Sequence, residues 1–368
     1  MVTFTGMRQN PLILALLLLG FCHLLQATPA DSIFLIPRPK VVELNAGTYN
    51  LTRAYTLNFA EGDSFSASML RAVLDKKLSS KKQSTKQTNS IRMLLMDSAA
   101  LIQLTKESSL KPPFGLGEEG YLLQITPNTI VVAAHTNAGV FYGAQTLLQL
   151  IHTNSSNSTI PCLTIFDKPD MQMRGWQDDI SRGLIPTLDF LKEEVRRMAG
   201  YKLNTFTLYT EHVFKLKKHP TIAPADGISE EEIKELTAYA KNYHVEMIGN
   251  FQSFGHFSNI LKVPGYESLA ENPQTLSPAK EEAYRFLSDA YSEVAPAYSG
   301  NYFHINCDEV ALGGGACKSM IDSIGVDGVY AYHINRIDSL LKPYHKRIMM
   351  WGDIAVHNPN IINRLPKD

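Results

Sequence analysis

The rhythm of apolar and polar positions changes near residue 170. Before that point, short strand-like runs are interleaved with helical spacing. Residues 91–96 are apolar except for Arg92 and predict a strand. Tyr121–Ile125 and Thr129–Ala134 flank Pro127-Asn128, a turn-forming pair, and predict a hairpin. From Asn137 onward, Val140, Phe141, Ala144, Leu147, Leu148 and Ile151 recur at the spacing of one helix face. Residues 76–90, rich in Lys, Ser, Thr and Gln, read as a solvated loop. Together these predict a small α/β domain over residues 31–168, with a junction at residues 165–170 that contains Pro169.

After Met171 the pattern becomes strand, helix, strand, helix. Strand-like runs end at Asp179, Thr210, Phe251, Asp308 and Asp353. Ser229, with Glu232 three residues on, has the form of a capping box. Ser277 followed by Pro278 predicts another helix start, and residues 360–365 a last helix. Parallel strand–helix units of roughly forty residues predict a (β/α)8 TIM-type barrel over residues 171–368. Eight such units need about 250 residues, and only five strands are counted, so the barrel reads as incomplete.

Composition narrows the class. Apolar residues make up 44% of the 368 and charged residues 19%, a globular balance. The formal net charge of −1 gives no reason to expect nucleic acid or an anionic membrane as partner. Arg8, an apolar run over residues 11–19 continued by Phe21, Leu24 and Leu25, and small Ala27 and Ala30 have the order of a secretory leader. We expect a signal peptide over residues 1–27 and an exported protein, periplasmic or extracellular (lysosomal only in a eukaryote), with no stable membrane span after leader removal. Cys162, Cys307 and Cys317, with no CxxC pair, form neither a disulfide framework nor a thiolate zinc site. The sequons at Asn50, Asn154 and Asn157 matter only in a eukaryotic secretory pathway.

Barrel enzymes carry their chemistry at the carboxyl ends of the strands. Those ends here hold Arg174, Asp178, Asp179 and Arg182; Tyr209, Glu211 and His212; Gln252, Gly255 and His256; Asn306, Asp308 and Glu309; and Trp351 and Asp353. Most Asp-Glu pairs are solvated turns, but Asp308-Glu309 closes the apolar run 302–305, where burial raises the pKa of at least one carboxyl. A raised Glu can protonate a leaving oxygen near neutral pH. His256 reads as a base, a metal ligand or, the reading favoured on the residue alone, a satisfied buried histidine, and Trp351 as core or as a sugar platform.

At these residues the chain resembles glycoside hydrolase family 20, the β-N-acetylhexosaminidases. Met-Arg-Gly-Trp-Gln-Asp-Asp-Ile-Ser-Arg (173–182) is similar to the family's first barrel strand, and Lys202-Leu203-Asn204 with Leu208 to His212 to its second. Gly255-His256 matches the third, and His304-Ile305-Asn306-Cys307-Asp308-Glu309 partly matches His-x-Gly-Gly-Asp-Glu. Ile36-Pro37-Arg38-Pro39 and residues 120–150 resemble the small domain that precedes the barrel. The chain reads as a divergent, bacterial-type member cut short in its barrel. Asn306 and Cys307 replace two glycines, and Tyr-Thr-Glu-His (209–212) stands for the usual His-x-Thr-Asp-Asp.

The resemblance implies removal of terminal β-linked N-acetylhexosamine from glycans with retention, the substrate's own 2-acetamido oxygen being the nucleophile. It gives Glu309 the proton transfers and Asp308 the acetamido nitrogen. Arg174 would bind sugar hydroxyls, Trp351 wall the acetamido pocket, His256 support the acid, and Asp179 and Glu211 line the rim. No cofactor and no metal are expected. Two other readings stand beside it: a zinc hydrolase using His212, His256, His304, Asp308 and Asp353, and a glycan-binding protein without turnover.

Overall fold

The structure is a computed structural model and describes residues 33–59, 64–79, 88–106, 114–154 and 158–367. The leader reading and the Asn157 sequon lie outside the described residues. Two compact units divide the chain between Pro169 and Asp170.

The first unit is a six-stranded mixed sheet. Its strands are β1 (Val41–Asn50), β2 (Tyr55–Phe59), β3 (Asn89–Leu95), β4 (Tyr121–Ile125), β5 (Thr129–Ala134) and β6 (Thr159–Asp167), in the order β1-β6-β4-β5-β3-β2. The hairpin forms as the turn residues require, pairing Tyr121 with Ala134 and Ile125 with Ile130. Helix Asn137–Thr153, capped by Thr136 onto the Gly139 N–H, buries Val140, Phe141, Ala144, Leu147 and Ile151, while Leu148 is only half-buried. Gly143 lets this helix lie close on the sheet, since a Cβ there would come 2.5 Å from a Val132 methyl.

Two expectations change here. Residues 76–79 are the last turn of helix Ser64–Ser79, and β3 already starts at Asn89. Lysines suit a helix C-terminus, where they oppose the helix dipole, so Lys76 and Lys77 extend the helix rather than open a loop. Strand β6 runs through Asp167, which leaves only residues 168–170 as junction.

The second unit is a five-stranded parallel sheet. Strands β7 (Gly175–Asp179), β8 (Thr205–Tyr209), β9 (Glu246–Asn250), β12 (Tyr302–His304) and β13 (Arg347–Met349) follow one another in space as in sequence. Helices Leu188–Gly200, Glu230–Asn242, Glu281–Ala297 and Lys318–Leu341 make the crossovers, and a small hairpin, β10 (Ala270–Asn272) with β11 (Thr275–Leu276), sits in the loop after β9. This is the strand–helix repeat of a TIM-type barrel, with five strands described.

Helix Glu230–Asn242 carries the full capping box: the Ser229 hydroxyl accepts from Glu232 N, and the Glu232 carboxylate accepts from Ser229 N at 2.8 Å. Ser277 caps nothing. The next helix begins at Glu281, and Ser277 is buried, its hydroxyl donating to Glu271 at 2.8 Å. A buried carboxylate offered a stronger partner than the exposed N–H groups of a first helical turn. The last helix is a 3-10 segment, Pro359–Arg364. The strands also end earlier than expected, β12 at His304 and β13 at Met349, so that Asp308 stands in a loop and Asp353 opens the short helix Asp353–His357.

Candidate active site

Pairing between β12 and β13 continues past their last residues: Ile305 N donates to Met349 O at 2.8 Å and Trp351 N to Asn306 O at 2.9 Å. The chain then leaves the sheet through a run of unusual backbone. Asn306, Cys307 and Glu309 are left-handed, with φ of 61°, 69° and 51°. Glu211 (38°) and His256 (56°) share this conformation after β8 and β9. The other three described non-glycine residues of this kind, Lys202, His244 and His345, lie at or just past helix C-termini, where the left-handed cap is ordinary. Five costly conformations therefore gather on one rim, each on the order of 1–3 kcal/mol. Such strain clusters where side chains must be aimed against backbone preference.

His256 joins the loops. Its Nε2 lies 3.1 Å from Asp308 Oδ2 and 3.6 Å from Glu309 Oε2, close contacts not aligned as hydrogen bonds. Its Nδ1 faces Arg182 at 3.4 Å and Glu211 at 3.9 Å. The Glu211 carboxylate is buried and held from two sides. Tyr209 OH donates to Oε1 at 3.3 Å, with Arg182 at 3.4 Å, and the Asn259 amide donates to Oε2 at 3.2 Å. Lys262 backs Asn259 at 2.6 Å. Tyr209 completes the order of donors: Gln252 and Arg182 donate to its oxygen, and burial raises its pKa, keeping it a phenol.

The two central carboxyls differ sharply. Burial, opposed by His256, raises the pKa of Asp308; neighbouring Asp353 and Glu309 add to the rise. Its Oδ1 is buried and accepts no hydrogen bond from the described residues. Glu309 is 79% exposed, so the burial expected to act on a Glu falls on the Asp instead. The Glu309 backbone is pinned, its N–H donating to Asp353 Oδ2 at 3.3 Å. Beneath them Cys307 is fully buried against Ser253 Oγ at 3.0 Å, and burial pushes its thiol up to about 12.

Of the residues singled out from sequence, Glu211, His256, Asp308 and Glu309 converge. Asp179 stands beside them, accepting from Ser181 and facing Arg182 Nε at 3.4 Å, and Trp351 stands at the end of β13. Arg174 does not join them. It precedes β7, at the opposite end of the sheet, and donates to the carbonyls of Lys202 and Met171 at 2.9 and 2.7 Å. Five strand residues separate the two ends by about 16 Å. Arg182 is the arginine at the site. Its place beyond Asp179 was visible in the sequence, because a residue before a parallel strand lies on the face away from the chemistry. Tyr209 and Asn259 were not assigned roles from sequence, Asp353 was named only as a zinc ligand in the rival reading, and no local pattern singles out Asn259. Among the described residues, no three His, Cys, Asp or Glu side chains converge as ligands for an ion.

A parallel strand–helix sheet with an acidic pair, a histidine and an indole at its carboxyl ends has the form of a barrel glycosidase. Residues 32–168 match the model of glycosyl hydrolase family 20 domain 2, and residues 172–367 match that family's catalytic domain. The chain belongs to glycosyl hydrolase family 20. It is 28% identical over 283 residues to a β-hexosaminidase of Porphyromonas gingivalis (65% of this chain, 36% of that protein) and 26% identical over 291 residues to one of Vibrio furnissii (67% and 47%). Among solved structures it superposes on a Flavobacterium johnsoniae chitobiase with a TM-score of 0.71 at 23% identity, covering 89% of this chain and 54% of that one. The chain thus spans about half the length, or less, of these relatives.

Proposed function

We propose that the protein is a retaining exo-β-N-acetylhexosaminidase acting by substrate assistance on terminal β-linked GlcNAc or GalNAc. The observation that carries the reading is Asp308 Oδ1, a buried acceptor without a donor among the described residues, beside an exposed, positioned Glu309. A 2-acetamido N–H is the donor such an oxygen lacks. When the acetamido carbonyl oxygen attacks the anomeric carbon, positive charge spreads onto that nitrogen and the oxazolinium ion forms. Asp308, ionised and fixed, stabilises that charge. Glu309 donates its proton to the glycosidic oxygen as the C–O bond breaks, then takes one from the water that opens the ion. His256 and Glu211 orient the pair. Arg182, half-exposed on the rim, is placed to meet sugar hydroxyls, and Trp351 to wall the acetamido group. The leader-like first 27 residues support export, and among the described residues no helix is long and apolar enough to cross a membrane.

The test compares aryl β-glycosides. The N-acetylglucosaminide should be hydrolysed with retention and the glucoside, lacking the acetamido group, left intact. Equal turnover of the two would point to a protein nucleophile. Binding of the sugar with no turnover of either would favour a glycan-binding role.

A further inference from the structure

Trp351 is 40% exposed, yet it is held from behind by two contacts. Its backbone N–H donates to Asn306 O at 2.9 Å, and its ring meets His304 edge-on, centroids 4.9 Å apart and planes at 61°. Both contacts lead to Asn306. His304 Nδ1 lies 2.9 Å from Asn306 Oδ1 and 3.2 Å from Asn306 N. The Asn306 amide also exchanges hydrogen bonds with the Asn250 amide at 3.1 and 3.3 Å, at the end of β9. Asn306 is fully buried, so this amide has no water to replace these partners. Its left-handed backbone is one that asparagine tolerates better than most residues, and the resembling pattern carries glycine here.

We propose that Asn306 is a positioning residue that fixes Trp351, through its own carbonyl and through His304, and thereby sets the depth of the pocket for the substrate's 2-acyl group. The pocket half rests on the hexosaminidase reading; the holding of the indole does not. Glycine at 306 keeps the carbonyl bond and the 306 N–H but removes Oδ1. His304 then loses its shorter contact and keeps only the 306 N–H at 3.2 Å, the ring edge behind Trp351 is loosened, and the wall can recede for a longer acyl chain.

Trp176 and Trp351 are the two tryptophans of the chain, so Trp176→Phe leaves Trp351 as the sole indole emitter. In that background its anisotropy should decay with overall tumbling alone, and Asn306→Gly should add a sub-nanosecond component and raise acrylamide quenching about twofold. A fast component already present in the parent, or an unchanged decay in the variant, overturns the proposal. If Asn306→Gly fails to fold, His304→Gln, which lacks the ring edge, should show the same fast component, and its absence overturns the proposal equally. With N-acetyl and N-propanoyl aryl glucosaminides, Asn306→Gly should narrow the acetyl preference about tenfold, the scale of one methylene in a tight pocket. An unchanged ratio overturns the pocket-depth half. If the parent turns over neither substrate, the hexosaminidase reading fails, and the anisotropy decides the positioning by itself.

Discussion

His256 Nε2 lies 3.1 Å from Asp308 Oδ2 and only 0.5 Å farther, at 3.6 Å, from Glu309 Oε2. One imidazole thus serves both members of the acidic pair, while its other nitrogen faces Arg182 and Glu211. The pair is adjacent in sequence but unequal in surroundings, one carboxyl half-buried and the other open.

Their substitutions should therefore differ. Glu309→Gln removes the proton carrier of the proposed mechanism and should largely abolish turnover of an aryl N-acetyl-β-glucosaminide. Asp308→Asn should lower kcat about 10²-fold or more, as for loss of an electrostatic stabiliser. Near-normal rates in both variants would rule out the proposed division of roles.

The two arginines should separate activity from stability. Arg182→Ala should lower kcat/KM while changing the unfolding midpoint little, since its side chain is half-exposed. Arg174→Ala should lose about 1–3 kcal/mol in urea unfolding, because the carbonyls of Lys202 and Met171 lose a charged donor. Its kcat/KM should stay within about threefold, the site being about 16 Å away. A larger catalytic loss for Arg174→Ala than for Arg182→Ala would reverse the assignment.

Acid should weaken the fold through two histidines. Burial lowers the pKa of His304 to about 4 and that of His333 to about 3. Below the ordinary histidine pKa of about 6.5, the unfolded chain takes up these protons and the folded chain does not, so stability falls as pH drops from there toward 4. His304 alone contributes up to about 3 kcal/mol over that window. The burial-raised carboxyl of Asp308 acts in the opposite sense, its protonation favouring the folded chain as pH falls. Urea midpoints at pH 7, 6 and 5 should decline, and His333→Gln should flatten the decline. An unaltered slope in that variant would remove His333 from the account.

Ser229→Ala removes the hydroxyl half of the capping box, the backbone N–H of residue 229 still donating to Glu232, and should cost about 1 kcal/mol, read as a lower thermal midpoint. Activity per folded molecule should not change. A stability loss within error would show that helix Glu230–Asn242 is held by its buried face of Ile233, Leu236 and Ala240 instead.

By itself the sequence determined whatever depends on near neighbours. The hairpin at Pro127-Asn128, the Asn137–Thr153 helix, the capping box at Ser229 and the alternation of strand and helix after residue 171 all follow from spacing and turn chemistry within a few residues. The Asp308-Glu309 pair and His256 could likewise be named, because topology alone sends parallel strand ends to one rim. Tertiary structure decided which groups meet across that rim and what each costs. Arg174 and Arg182 look alike along the chain, but a strand's length puts them on opposite faces. Ser277 had the form of a cap until Glu271 claimed its hydroxyl. Whether burial would fall on Asp308 or Glu309 depended on the left-handed turn through Asn306 and Cys307. That turn is held by partners 44 to 56 residues away, Asp353 and Asn250 among them. Hydrogen bonding and desolvation act through space, so a one-dimensional pattern can name the participants but not their partners.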